Sequence, residues 1–248
     1  MRFHWLKSCC NRSFDRKYKH TADTKGVVII MKIKAAIFDM DGTLVDSLGV
    51  WNVLWSRLGE KYKGDKSFIP CEEDDKKVRT LTLKDAMELI HINYGFGKSG
   101  KELLDFANSL ISDFYRNDVE MKDGAKEFLE HCKENGVKMC IASATAMDLI
   151  ELAMEHCDIK KYFRKVFSCG VIGKGKEFPD VFLAAADYLK EDISDTWVFE
   201  DSLVAVQTAS RAGFPTVGIY DRFNFGQDIM KETATVYIDD GETLMKLV

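Results

Sequence analysis

The chain has 248 residues, of which 46% are hydrophobic and 30% are charged, and its formal net charge is −5. This composition is typical of a soluble globular enzyme and excludes a disordered chain, while the acidic balance argues against a nucleic-acid surface. No apolar run approaches the roughly 20 residues that a membrane-spanning helix needs, so no membrane association is expected.

The cysteine content bears on the cellular compartment. Seven cysteines are present, an odd number, and none lies in a C-x-x-C arrangement. This pattern predicts neither a disulfide framework nor a zinc site. Reduced thiols in a cytoplasmic protein are the simplest interpretation.

Residues 1–30 differ in composition from the rest of the chain. They contain seven lysines and arginines against two aspartates. A basic, acid-poor segment can be a transit peptide, but it lacks the apolar stretch of a secretion signal. A flexible N-terminal extension ahead of Met31 is the favoured interpretation.

The first predicted strand, residues 32–38, is almost fully apolar, as a central parallel strand should be. It runs into two carboxylates, Asp39 and Asp41, followed at once by Gly-Thr. Because desolvating a carboxylate is costly, two of them at a strand end need a cation, a partner or a catalytic role. The carboxyl ends of strands are also where open α/β sheets bind ligands.

Residues 48–118 give no strand signal and are predicted to form an all-helical insert. Apolar residues at helical spacing predict helices over residues 48–58, 82–94 and 101–115. The densely charged residues 61–77 are expected to form a solvated loop.

Strands and helices alternate beyond the insert. Strands are predicted at residues 137–142, 165–168, 197–199, 214–220 and 235–238, and helices at residues 125–135, 146–156, 179–188 and 203–212. This alternation predicts an α/β fold, a doubly wound parallel sheet with helices on both faces. The core would comprise residues 31–47 and 119–248.

Further chemical groups follow other predicted strands: Ser143, Lys176 and the adjacent pair Glu200 and Asp201. Parallel strands place these groups at the same edge of the sheet as the first two carboxylates. Carboxylates, a hydroxyl and an amine at one edge suit a hard divalent cation and a phosphate.

These segments resemble, in order, the four motifs of the haloacid dehalogenase superfamily, in its phosphatase and phosphoglucomutase-like branch. The matching residues are Asp39-Met-Asp-Gly-Thr-Leu-Val-Asp-Ser47 for the first motif, Ser143 for the second, Lys176 with Pro179-Asp180 for the third and Glu200-Asp201-Ser202 for the fourth. The resemblance covers roughly residues 32–240, and an ordered set of motifs is far more specific than a lone D-x-D.

The resemblance implies a Mg²⁺-dependent phosphomonoester hydrolase of small phosphorylated metabolites, such as sugar or nucleotide phosphates. Asp39 would be the nucleophile and would form an aspartyl-phosphate. Asp41 would protonate the leaving oxygen and then activate water. Lys176 would offset the charge that develops on the phosphoryl group.

The implied Mg²⁺ ligands are Asp39, the backbone carbonyl of Asp41, Asp201, and Glu200 either directly or through water. A carboxylate can attack a phosphate dianion only if cations neutralise the repulsion between them, so a metal site beside the nucleophile is physically reasonable.

The resemblance further implies that Ser143 and the amides of Met40 and Ala144 hold the phosphoryl oxygens. Ser143 could instead cap a helix, or Thr145 could be that cap. Lys174 competes with Lys176, although the spacing to the following Pro-Asp favours Lys176. The insert is similar to the family's mobile cap, which excludes water and selects the substrate.

Two departures within the family favour phosphate hydrolysis. Dehalogenases lack the second aspartate and phosphonoacetaldehyde hydrolases replace it by alanine, whereas Asp41 is present here. Mutases resembling β-phosphoglucomutase usually carry a histidine twelve residues after the nucleophile, where this chain has Trp51. Because an indole cannot shuttle a proton, phosphomonoester hydrolysis is favoured over mutase activity. The sugar phosphomutase is kept as the alternative. Trp51 is a candidate substrate-binding residue, with packing against Trp55 equally compatible.

Two binding functions stay open beside the enzyme: a receiver-like signalling module and an inactive, partner-binding relative. The first is disfavoured because the candidate nucleophile follows the first strand, and the second because the motif residues are intact. The expected partner is a small phosphorylated metabolite rather than nucleic acid or membrane, and the chain is expected to be a monomer or weak homodimer.

Overall fold

The computed structural model describes residues 33–78 and 81–248. The extension predicted at residues 1–30 lies outside this part. The described residues contain six strands: β1 (Ala35–Phe38), β2 (Lys138–Ser143), β3 (Val166–Ser168), β4 (Thr196–Glu200), β5 (Thr216–Ile219) and β6 (Val236–Ile238). They form one sheet in the order β3-β2-β1-β4-β5-β6, with every neighbouring pair parallel.

Helices follow the strands, and the four helices predicted beyond the insert are present, together with two short helices that were not predicted. The α-helices among the described residues are α1 (Val50–Lys63), α2 (Glu72–Val78), α3 (Leu83–Tyr94), α4 (Gly100–Asn117), α5 (Ala125–Glu134), α6 (Met147–His156), α7 (Cys169–Ile172), α8 (Asp180–Leu189), α9 (Leu203–Arg211) and α10 (Gln227–Thr233). The strand order, with β1 at its centre, confirms the doubly wound α/β fold class. Among the described residues, none of these helices combines the length and apolarity needed to cross a bilayer.

β1 shows how the sheet is covered on both faces. All four of its residues are fully buried. Ala36 and Phe38 enter one apolar cluster with residues of α5 and α6, whereas Ala35 and Ile37 enter a second cluster with residues of α8 and α9. Because successive side chains of a strand point to opposite faces, an uninterrupted apolar run is what a doubly covered strand requires.

Between residues 50 and 117 the structure describes helices and loops, with no strand among its described residues. α4 buries one stripe of side chains four residues apart, Leu103, Ala107, Ile111 and Tyr115. α3 begins after Thr82, whose side chain accepts a hydrogen bond from the amide of Asp85 at 3.2 Å, as its capping sequence predicts.

The loop predicted for residues 61–77 is wrong in part. α1 continues to Lys63, and α2 occupies the second half of this stretch. The charges that suggested a loop stabilise α2: acidic residues fill its first turn and lysines its last, which complements the helix dipole. Lys76 also pairs with Glu72 one turn away, with Nζ and Oε1 2.5 Å apart.

The packing of Phe38 gives a stability prediction. Its ring stacks on Phe199 with centroids 4.4 Å apart and meets Phe128 edge-on at 6.2 Å. Phe38→Ala leaves a cavity under the sheet and should lower the free energy of unfolding by about 3–5 kcal/mol, measured by urea denaturation. The same substitution at Phe225, which is 60% exposed, should cost less than about 1 kcal/mol. Equal losses in the two variants would contradict the packing.

Candidate active site

The candidate residues meet because three adjacent strands end together. β1 pairs with β2 on one side and with β4 on the other. Asp39 follows β1 directly, Ser143 ends β2, and Glu200 ends β4 with Asp201 next. The amide of Asp39 donates to the carbonyl of Phe199 at 2.9 Å, which continues the hydrogen-bond ladder between β1 and β4 as far as Asp39.

Three carboxylates are buried together at this edge: Asp39, Glu200 and Asp201, with one oxygen of each within 4.8 Å of the others. Burial, followed by the charges of Asp39 and Glu200, raises the pKa of Asp201 well above its ordinary value. Burial also raises the pKa of Glu200 to about 7, although a nearby lysine opposes the change. The cluster therefore holds more negative charge than its surroundings balance.

That lysine is Lys176, in the loop between α7 and α8. Its Nζ lies 2.6 Å from Asp39 Oδ1 and also contacts Glu200 Oε1. Burial disfavours the ammonium form, but Asp39 and Glu200 outweigh burial and raise the pKa of Lys176. Lys174, the competing candidate, instead pairs with Asp180 near the surface at 2.6 Å.

The donor set fits a magnesium ion. One ammonium group faces three carboxylates, so the cluster retains excess negative charge. Mg²⁺ is a hard cation that prefers carboxylate and substrate oxygens over nitrogen or sulfur ligands. Asp39, Glu200 and Asp201 would supply such oxygens.

Asp201 is held in place by two donors. Thr43 Oγ1 donates to Asp201 Oδ1 at 2.9 Å, and Asn224 Nδ2 donates to Oδ2 and, at 3.1 Å, to the Asp201 carbonyl. Gly42 lies beside it with φ of +74°, and a Cβ there would come within 2.2 Å of Asp201 Oδ2. Glycine is therefore required for Asp201 to approach the turn after β1.

Asp41 has a different environment from the carboxylate cluster. Ser47 Oγ donates to Asp41 Oδ1 at 2.6 Å, Thr145 Oγ1 donates to Oδ2 at 2.6 Å, and the hydroxyl of Tyr115 donates to Oδ1. Burial, followed by the charge of Asp39, raises the pKa of Asp41 although these hydroxyls oppose the change. Asp41 therefore binds a proton more readily than an ordinary aspartate.

Neither Ser143 nor Thr145 caps α6, so the helix-capping alternatives for these two residues are wrong. α6 begins after Ala146, which provides no side-chain cap. Thr145 directs its hydroxyl to Asp41, and its amide donates to Ser143 Oγ at 3.1 Å. Because Ser143 Oγ accepts this bond, its own O–H can donate to another group.

The other candidate residues lie nearby with less specific contacts. Met40 is fully buried, and its carbonyl accepts the amides of three residues in the turn after Asp41. Ala144 follows Ser143 and is exposed. Trp51 is half-buried in α1 and packs beside Trp55 with ring centroids 5.4 Å apart.

Trp55 belongs to the interior of the insert. It is fully buried, and its Nε1 donates to Asp75 Oδ1 of α2 at 2.9 Å. Packing therefore accounts for Trp55, whereas the partial exposure of Trp51 leaves its substrate-binding role a prediction.

Sequence reasoning missed Tyr115 and Asn224. Tyr115 is 74 residues from Asp41 along the chain, and Asn224 is 23 residues from Asp201. Neither belongs to a local motif, and the sequence marked Tyr115 only as the last residue of a predicted helix. Their contacts arise from tertiary packing.

The chain is similar in sequence to known hydrolases and phosphatases. Residues 33–213 match the family described as haloacid dehalogenase-like hydrolase. A Drosophila melanogaster protein named "Probable pseudouridine-5'-phosphatase" is 28% identical over 200 residues, 78% of this chain and 84% of that protein. "Phosphorylated carbohydrates phosphatase" of Thermotoga maritima is 24% identical over 218 residues, 86% of this chain and 97% of that protein.

A solved structure supports the same fold. CbbY from Rhodobacter sphaeroides, in complex with phosphate, aligns with a TM-score of 0.69 at 16% identity and covers 87% of this chain and 99% of that one. At this identity the likeness shows the fold alone. The family match, which spans β1 to the end of α9, shows that the chain belongs to the haloacid dehalogenase-like hydrolases.

Proposed function

We propose that this protein is a Mg²⁺-dependent phosphatase that hydrolyses phosphomonoesters of small metabolites through an aspartyl-phosphate on Asp39. The observation that carries the proposal is the buried cluster of Asp39, Glu200 and Asp201, with Lys176 paired to Asp39 at 2.6 Å. Such a cluster is costly to bury unless a cation offsets its negative charge, and a bound cation can in turn hold an anionic substrate. Relatives that are similar over most of this chain are named as phosphatases, which supports the proposal.

In the first step, a carboxylate oxygen of Asp39 attacks the phosphorus and the bond to the leaving oxygen breaks. Lys176 offsets the negative charge that accumulates as the carboxylate approaches the phosphate. Bound Mg²⁺ would supply further positive charge to the phosphoryl oxygens. Asp39, Asp201, the Asp41 carbonyl, and Glu200 directly or through water, would hold it.

Asp41 serves both steps as the proton carrier. It gives its proton to the leaving oxygen, and then takes one from the water that attacks the aspartyl-phosphate, which releases phosphate and regenerates Asp39. Its raised pKa supports the acid form at the first step. Its position outside the carboxylate cluster keeps it available for proton transfer.

Binding of the substrate is divided between two parts of the chain. Ser143 and the amides of Met40 and Ala144 hold the phosphoryl oxygens. Residues 48–118 form the cap over the core of residues 31–47 and 119–248, and Trp51 lines the cap side of the pocket.

The relatives' names support sugar or nucleoside phosphates as the substrate class. We expect a cytoplasmic monomer or weak homodimer. A β-phosphoglucomutase-like mutase is the alternative, which Trp51 disfavours because an indole neither releases nor accepts a proton near neutral pH and cannot act as a shuttle. Phosphate migrating within a hexose phosphate, without release, would favour the mutase.

The first prediction concerns the nucleophile. Asp39→Asn should lower kcat by about 10⁴-fold or more on every phosphomonoester that the wild type hydrolyses, because an amide is a far poorer nucleophile. Phosphate release from a panel of sugar and nucleoside monophosphates measures it. Asp187→Asn, at a side chain that is 84% exposed in α8, should leave the rate unchanged. Retention of a tenth of the activity by a purified Asp39→Asn enzyme would contradict the mechanism.

The second prediction concerns the metal. Removal of Mg²⁺ with a chelator should abolish phosphate release, and restoring Mg²⁺ should recover it, because the ion supplies charge that Lys176 alone does not. Full activity in the chelator, after dialysis against it, would show that catalysis needs no divalent ion.

The third prediction concerns Asn224. Asn224→Ala removes the amide that orients Asp201, so the Kd for Mg²⁺, measured by calorimetry, should rise about tenfold. Asn93→Ala is the matched control, since Asn93 donates to Asp74 in the insert at 3.0 Å. If both variants bind Mg²⁺ as the wild type does, Asn224 does not orient a metal ligand.

A further inference from the structure

Tyr115 is the point at which the helical insert touches the expected proton carrier. It lies near the end of α4, is only 5% exposed, and donates its hydroxyl to Asp41 Oδ1. Of the three hydroxyls on Asp41, Thr145 follows β2 and Ser47 lies in the connection from β1 to α1. Tyr115 is therefore the donor that the insert itself contributes.

We propose that Tyr115 is a positioning residue for Asp41: its hydroxyl, presented by the insert, holds the Asp41 carboxyl group in the orientation from which it transfers protons. This inference rests on the proposed function. It assigns to one side chain of the insert a part in the proton-transfer step, in addition to whatever the insert contributes to substrate selection.

The argument begins with the freedom of the carboxyl group. An aspartate side chain turns about two bonds, and proton transfer requires one of its oxygens to lie within hydrogen-bond reach of the reacting oxygen. Ser47 and Tyr115 both engage Oδ1, while Thr145 engages Oδ2 at 2.6 Å. Donors from three separate segments therefore fix the plane of the carboxyl group. Oδ2 accepts only one of these hydrogen bonds, so it can still contact a further partner.

Burial of the phenol makes this contact costly to lose. A buried hydroxyl without a partner is destabilising, so α4 and Asp41 keep their relative position while Tyr115 lies here. If α4 moves, the Asp41 carboxyl group either follows it or loses this donor. This bond links the position of the insert to the orientation of the proton carrier.

The substitution Tyr115→Phe tests the hydroxyl alone. It retains the aromatic ring, which packs edge-on against Phe114 with centroids 5.6 Å apart, so the core of the insert is preserved. Tyr62 offers a matched control in the same insert, because its hydroxyl donates to Glu102 Oε1 at 2.7 Å, away from Asp41.

The experiment compares two esters of similar shape, phenyl phosphate and 2,4-dinitrophenyl phosphate, in saturating Mg²⁺. Phenolate is a poor leaving group that needs a proton from Asp41, whereas dinitrophenolate leaves without one. The ratio kcat/KM reports the steps up to formation of the aspartyl-phosphate. Tyr115→Phe should lower kcat/KM about tenfold for phenyl phosphate and less than about twofold for 2,4-dinitrophenyl phosphate, because only the first requires general acid catalysis. Tyr62→Phe should change neither value.

A double-mutant cycle provides the second measurement. If Tyr115 acts only through Asp41, then the loss that Tyr115→Phe causes with phenyl phosphate should disappear in an Asp41→Asn enzyme. A further loss there as large as that of Tyr115→Phe alone on phenyl phosphate would show that the tyrosine acts elsewhere.

Other outcomes overturn the inference in distinguishable ways. Equal losses for both esters would indicate a purely structural role, and no loss would indicate that the hydroxyl is dispensable. A faster reaction with phenyl phosphate would mean that Tyr115 restrains Asp41 instead of positioning it. Failure of the wild type to hydrolyse these two esters and every sugar and nucleoside monophosphate of the panel with Mg²⁺ would overturn the proposed function, and this inference with it.

Discussion

The repulsion among three buried carboxylates is the constraint on which the rest of the site depends. Asp39, Glu200 and Asp201 approach within 4.8 Å because β1 and β4 are adjacent and parallel and end at the same level. One buried lysine relieves only part of that repulsion. Thr43 and Asn224 fix Asp201, and a glycine makes room for it. An arrangement that is unfavourable alone becomes favourable when a hard cation and a phosphate enter, so the unfavourable electrostatics of the free site are the source of its proposed specificity.

The site separates two carboxylate chemistries by environment. The Asp39 carboxylate is paired with an ammonium group. The Asp41 carboxyl group, two residues later, is surrounded by hydroxyls and lies outside the cluster of Asp39, Glu200 and Asp201. The first environment suits a charged nucleophile, and the second suits a group that gains and loses a proton. Because one of the hydroxyls belongs to α4, the second environment also depends on the helical insert. The proposed mechanism thus assigns the nucleophile to the sheet alone and the proton carrier to the junction of sheet and insert.

Sequence reasoning predicts those features that local pattern determines. The apolar run of β1 ending in two aspartates, the alternation after residue 125 and the placement of Lys176 at the edge that holds the carboxylates follow from burial and strand topology. The choice of Lys176 over Lys174 follows instead from the family motif. The charged stretch containing α2 was misread because the same residues that solvate a loop also stabilise the two ends of a short helix. The contacts of Tyr115 and Asn224 could not be predicted, since they depend on how α4 and the loop after β5 pack against the sheet.

The most direct test of the proposed mechanism is detection of the covalent intermediate. Asp41→Asn should slow hydrolysis of the aspartyl-phosphate, so this enzyme, acid-quenched after mixing with 2,4-dinitrophenyl phosphate and Mg²⁺, can be digested and examined by mass spectrometry. The account predicts one phosphoryl group on the peptide that contains Asp39, and none when Mg²⁺ is omitted. Release of dinitrophenolate without any phosphorylated Asp39, or with the phosphoryl group on another residue, would contradict it.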